Sequence, residues 1–151
     1  MQVSDILKVK VNVPLYTTQP ETLLYAAIST MAEYDVGSLV VLEYGKLAGM
    51  LTFREIILAV REHAGNIGAL IVRSVMNGQP LTCRPDTNVD EVRRMMLKRH
   101  ARYMPVLEAR TLMGVISFYD VAKAVVEAND FENRMLKAYI RDWPENENKS
   151  S

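Results

Sequence analysis

Two short stretches place a hydroxyl three residues ahead of a carboxylate, Thr52-Phe-Arg-Glu55 and Ser117-Phe-Tyr-Asp120. Before an apolar helical segment this spacing is a capping box, in which the two side chains bond free N–H groups of a helix start. The four residues alone read as caps, with a polar ligand at the same spot as the competing reading. Arg93, Arg94, Lys98, Arg99, His100 and Arg102 form a basic stretch broken by apolar residues, which usually marks the solvated face of a helix. His63 and His100 are the only histidines, and neither has a Cys, Asp or Glu partner at metal-ligand spacing, so no metal site is expected. Cys83, the single cysteine, has no evident base beside it and reads as a buried or ligand-lining thiol. The sequence holds no Gly-x-Gly-x-x-Gly, no P-loop and no Ser/His/Asp set that spacing could justify. Catalysis is not expected.

Lys plus Arg equal Asp plus Glu at 18 each in 151 residues, a formal net charge of zero. Nucleic acid and membrane surfaces call for a basic excess, so neither partner is expected. One cysteine cannot form an intramolecular disulfide, which fits a reducing compartment. Residues 1–10 carry Asp5, Lys8 and Lys10 and no long apolar run, and read as neither a signal peptide nor an anchor. No stretch approaches the roughly 20 apolar residues of a spanning helix. A soluble cytoplasmic protein is the expectation.

The elements that hold these residues repeat. Gly49-Met-Leu-Thr-Phe-Arg-Glu-Ile56 recurs 65 positions on as Gly114-Val-Ile-Ser-Phe-Tyr-Asp-Val121, and the same offset pairs Pro20 with Pro85, Met31 with Met96 and Val41-Leu42-Glu43 with Val106-Leu107-Glu108. The register holds without a gap from Thr17/Thr82 to Glu62/Glu127, which marks a duplication. Each copy predicts a helix after a Thr cap (Thr22, Thr87), with Leu24, Ala27, Ile28 and Met31, or Val92, Met95, Met96 and Arg99, on one face. A strand follows (38–42, 103–107), then a turn, a second strand (47–51, 112–116) and a last helix from Thr52 or Ser117. Glu43-Tyr-Gly-Lys46 is good hairpin chemistry, and Glu108-Ala-Arg-Thr111 is poorer. Each unit is β–α–β–β–α, too small to bury its own sheet face, so one pseudo-symmetric domain is expected. Val3-Ser-Asp-Ile-Leu7 resembles Val72-Arg-Ser-Val-Met76 at a different offset, 69, which puts about four extra residues near Val9–Val13.

This pattern resembles a pair of CBS (cystathionine-β-synthase-type) domains. The most specific element, Gly-hydrophobic-hydrophobic-Ser/Thr-x-x-Asp, is met in full by Gly114 to Asp120, and Tyr103-Met104-Pro105-Val106 supplies the family's hydrophobic-Pro-Val strand. In the first repeat Gly49 and Thr52 match, but Glu55 stands for Asp and Val40 for the proline. The resemblance implies an α+β fold of two tandem repeats with pseudo-two-fold symmetry and a C-terminal helix, as in small stand-alone bacterial members. The expected boundaries are 1–129 for the pair (repeat one 8–62, linker 63–71, repeat two 72–129), 130–143 for the helix and 144–151 for a disordered tail.

The resemblance also implies two clefts between the repeats for a regulatory adenine nucleotide (AMP, ADP, ATP or NAD), in a module that is not an enzyme; a ligand-independent dimerisation or scaffold protein is the alternative. A carboxylate suits the ribose diol and a helix N-terminus suits a phosphate. Carried over by position, Ser117 and Asp120 are the phosphate and ribose ends of the better cleft, with Thr17, Thr18, Gly37, Ser38 and Leu39 near the base and Arg102 near the phosphate. Val36, Thr52, Glu55, Thr82, Cys83, Tyr103 and Met104 would form a second, weaker cleft. A homodimer is expected too, because family members associate through helical faces and Phe131, Met135, Leu136, Tyr139, Ile140 and Trp143 would form an apolar face on the last helix. Otherwise that helix folds back to finish the core.

Overall fold

The computed structural model describes residues 1–142. In chain order it contains α1 (Val3–Val9), β1 (Thr17–Thr18), α2 (Leu24–Tyr34), β2 (Ser38–Glu43), β3 (Lys46–Thr52), α3 (Phe53–Glu62), α4 (Val72–Val75), α5 (Val89–Arg99), β4 (Tyr103–Glu108), β5 (Thr111–Ser117) and α6 (Phe118–Arg141). Trp143 and the tail assigned to 144–151 lie outside the described residues.

The duplication reappears as geometry. β2 pairs antiparallel with β3 and β4 with β5, each with a bulge at the same place, after Val41 and after Val106. β1 runs parallel to β2, while its counterpart in the second unit shrinks to one bridge between Cys83 and Val106. α2 and α5 both end on a residue in the left-handed region, Asp35 and His100. β3 of one unit touches β5 of the other.

Two cores form, one per unit, and each borrows from the opposite unit. Leu24, Ala27, Met31, Leu39, Val41, Leu51 and Ala59 enclose Val72 of α4. Val89, Val92, Met96, Met104, Val106, Ile116 and Val121 enclose Val3 and Ile6 of α1. The exchange is fixed by paired backbone bonds. Leu24 N–H donates to Leu70 O and Val89 N–H to Met1 O, while Val72 N–H donates to Thr22 O and Val3 N–H to Thr87 O. This corrects the expected Thr caps. The N-cap positions are Leu23 and Asn88, one residue on, because the crossing chain already satisfies the first helical N–H. Asn88 Oδ1 caps Asp90 N–H at 2.8 Å, and Thr87 Oγ1 instead accepts from Arg84 N–H within the preceding turn.

The C-terminal helix is present and continues the last helix of the second repeat without a break. At 24 residues α6 is about 36 Å long. Val121 is buried, whereas Phe131, Met135, Leu136, Tyr139 and Ile140 are exposed, so this helix does not fold back on its own repeat.

Both hairpins turn through two residues with positive φ, Tyr44 (52°) and Gly45 (76°) in one, Ala109 (47°) and Arg110 (71°) in the other. Only Gly45 takes that conformation without a Cβ penalty. Copying it into the second unit as Arg110→Gly should therefore stabilise the protein by about 0.5–1 kcal/mol, a rise of about 2–3 °C in thermal melting. A lower melting temperature would show that the Arg110 backbone carries no strain.

Candidate functional site

Each cleft is built from the helix start of one unit and the helix-to-strand corner of the other. The larger, of about 1150 Å³, lies between the start of α3 and the corner from α5 to β4. Its floor and walls include Met50, Phe53, Leu81 and Phe118, and its polar rim carries Thr52, Arg54, Glu55, Asn77, Arg99, His100 and Arg102. Thr52 is the N-cap, with Oγ1 accepting from Arg54 N–H at 3.2 Å. The same hydroxyl donates to Glu55 Oε2 at 2.9 Å. The extra methylene of glutamate thus carries its carboxylate to the hydroxyl, where an aspartate would bond the Thr52 backbone. Among the described residues no side-chain bond or ion pair engages the guanidinium groups of Arg54, Arg99 and Arg102. Three unpaired cations, a carboxylate and an apolar floor face one open space, a combination that suits a phosphorylated ligand with a diol and a flat apolar base.

The smaller cleft, of about 440 Å³, lies between the start of α6 and the corner Val36-Gly37-Ser38. Here the capping box is complete. Ser117 Oγ accepts from Asp120 N–H at 3.1 Å, and Asp120 Oδ2 accepts from Ser117 N–H at 2.8 Å. The same Oδ2 accepts from Lys10 Nζ at 2.7 Å, and Lys10 also donates to Val115 O at 3.0 Å. Burial would push the pKa of Asp120 up, but the Lys10 ammonium and the Ser117 bonds outweigh it and hold the carboxyl below its usual range. The Tyr103 hydroxyl lies directly over Gly37, in the space a Cβ would need, so a side chain at 37 would have to displace Tyr103.

The residues carried over by position divide between these sites. Ser117, Gly37 and Ser38 line the smaller cleft, and Asp120 joins it through Lys10. Thr17 and Thr18 do not line it; Tyr16 does. Leu39 is fully buried in the first core, because successive strand residues face opposite ways and Ser38 takes the cleft side. Arg102 lines the larger cleft, since a corner serves the helix start of the opposite unit. For the same reason Val36 belongs to the smaller cleft. Thr52 and Glu55 line the larger cleft as placed and Tyr103 lines both clefts, whereas Cys83 and Met104 are buried in the second core and Thr82 lies outside. Burial pushes the Cys83 thiol up to about 12, which leaves it without nucleophilic character. Sequence reading missed Lys10, Tyr16, Asn77 and Leu81. Leu81 had a signal, its 65-residue pairing with Tyr16; Lys10 lies in the stretch outside the repeat register and had none.

The Asp120 contacts make stability depend on pH. Its folded value is depressed below the unfolded value of about 3.9, so its contribution is complete above about pH 5 and is lost as pH falls through the folded value. Asp120→Asn should be about 1 kcal/mol less stable than wild type at pH 7, with the gap closing below pH 4. Denaturant titrations between pH 3 and 7 measure it, and a gap independent of pH would refute the role of the charge.

The family model described as CBS domain matches residues 3–62 and 72–127. Over 148 residues the chain is 29% identical to the mitochondrial CBS domain-containing protein CBSX3 of Arabidopsis thaliana, covering 92% of this chain and 71% of that one. A solved structure of a protein with CBS domains from Burkholderia ambifaria aligns with a TM-score of 0.78 at 30% identity, covering 84% of this chain and 95% of that chain. CBSX2, solved in complex with AMP, shares the fold with a TM-score of 0.70 at 21% identity, covering 85% of this chain and 98% of that chain. Two matched repeats, the exchanged segments and the two paired clefts lead to one conclusion: the chain belongs to the CBS-domain family.

Proposed function

We propose that the protein is a non-catalytic regulatory module that binds an adenine nucleotide in the larger cleft. One observation carries this reading: among the described residues, nothing pairs with the guanidinium groups of Arg54, Arg99 and Arg102, which line the open space that Thr52 and Glu55 also line. Unpaired cations on a cleft wall suit phosphate oxygens, and a carboxylate at a helix start suits a ribose diol. AMP bound to CBSX2, a protein of the same fold, supports the ligand class. AMP, ADP, ATP and NAD are the candidates, and the cytoplasm is the compartment in which such a module would meet them. Among the described residues no helix is long and apolar enough to cross a membrane.

A melt of ligand-stripped protein tests this. A nucleotide at about 100 times its Kd should add about 2.7 kcal/mol, or roughly 5–10 °C. Arg102→Ala or Glu55→Gln should weaken binding by about 1.5–3 kcal/mol, as for loss of a bond to a charged group. If AMP, ADP, ATP, NAD and S-adenosylmethionine at millimolar concentration all leave the melt where GMP leaves it, the nucleotide reading fails.

A second reading, a scaffold that dimerises without ligand, is favoured by the apolar faces of the helices. Phe53, Ile57, Leu58 and Val60 on α3, and Val126, Phe131, Met135, Leu136, Tyr139 and Ile140 on α6, are exposed. Faces of this kind usually mark an interface. A homodimer through α6 belongs to both readings. Light scattering at tens of micromolar should show a dimer for the full chain and a monomer for Leu136→Glu/Ile140→Glu. A monomeric full chain refutes the dimer, and a dimeric variant removes α6 from it.

A further inference from the structure

The two clefts are unequal for a reason that lies in the crossing segments. α4 is four residues long, and α1, its counterpart in the other unit, is seven. The additional turn and the residues after it are the stretch that breaks the 65-residue register. Lys10 is the C-cap of the longer helix, and it sits at the mouth of the smaller cleft. Its ammonium uses two of its donors there, on Asp120 Oδ2 at 2.7 Å and Val115 O at 3.0 Å. The Lys10 and Asp120 side chains are 26% and 17% exposed, so the pair is shielded from water far more than an ordinary surface ion pair. Val11, Val13, Pro14 and Leu15 then run along the same cleft and reduce it to about 440 Å³.

The other cleft lacks every part of this device. The segment after α4 supplies Asn77, Gln79 and Pro80 and no cation, and among the described residues the Glu55 carboxylate meets only the Thr52 hydroxyl. A ribose diol must donate to the carboxylate at the helix start. At Glu55 that carboxylate has no cation on it; at Asp120 one oxygen already accepts from both an ammonium and a backbone N–H.

We propose that Lys10 is a built-in substitute for the ribose at Asp120, closing the smaller cleft so that each chain takes one adenine nucleotide, in the Glu55 cleft. The proposal rests on the nucleotide reading above. It inverts the ranking that the motifs imply: the repeat with the complete Gly-to-Asp signature is the closed one. Lys10 acts as a selectivity device, turning a two-site fold into a one-site module.

Calorimetric titration with AMP, using the full chain, tests this with wild type, Lys10→Met and Lys10→Met/Asp120→Ala. Wild type should bind one AMP per chain, Lys10→Met two, and the double variant one again. Photo-crosslinking of wild type with 8-azido-AMP, followed by peptide mapping, should label the walls of the Glu55 cleft and spare residues 10–16 and 36–38; this readout needs no variant to fold. Two AMP per wild-type chain, label at 10–16, or a folded Lys10→Met that still binds one AMP would each overturn the proposal while leaving the nucleotide reading intact. A fall in wild-type-like affinity on Lys10→Met would also overturn it, because Lys10 would then be a ligand contact. No AMP bound to any of the three proteins would overturn the nucleotide reading itself, and this proposal with it.

Discussion

The first N–H of α2 is bonded by Leu70 O and the first N–H of α5 by Met1 O, and these carbonyls lie just ahead of the crossing helices α4 and α1. Each unit has a sheet too small to cover itself and a helix start whose donors need partners. Exchanging the crossing segments meets both needs. Val72 fills the first core, Val3 and Ile6 fill the second, and the backbone bonds that accompany them fix the angle at which the units meet. Neither core is complete within the strands and helices of its own hairpin unit.

The exchange also decides where the clefts are and what can enter them. After each crossing helix the chain must return along the face of the opposite unit. Asn77 passes so close to β3 that it exchanges two backbone bonds with Met50, at 3.0 and 2.9 Å. Gly49 permits that approach, since a Cβ there would lie 2.5 Å from Asn77 O. The returning chain is therefore a wall of the cleft, and its Tyr16 and Leu81 also pack against the two cores. A crossing helix with one more turn brings Lys10 to Asp120; the shorter one leaves Glu55 without a cation.

Small differences in side-chain reach matter at this position. Asp120 closes a capping box on the Ser117 backbone and takes Lys10 on the same oxygen, whereas Glu55 reaches past the backbone to the Thr52 hydroxyl. The first arrangement is internally satisfied. The second leaves a carboxylate and three guanidinium groups on the walls of one open cleft.

Much of the fold was legible in the residues themselves. A gapless 65-residue repeat, apolar residues at helical spacing in 24–31 and a short apolar run in 38–42 need only local pattern, and the structure has the corresponding helices and strands. The left-handed ends at Asp35 and His100 keep the same offset, because backbone conformation follows local sequence. The sequence also showed that the segments 3–7 and 72–76 are related by 69 and not 65, but the exchange that explains it appears only when carbonyls far apart in the chain meet. The clefts were legible as residue types and illegible as partnerships. Arg102 and Val36 went to the wrong helix start, and Leu39, Cys83 and Met104 turned inward, because which corner faces which unit is a property of packing. Lys10 shows the limit most clearly: a lysine in an unmatched stretch carries no local signal, and only the tertiary structure sets its ammonium on a carboxylate 110 residues away.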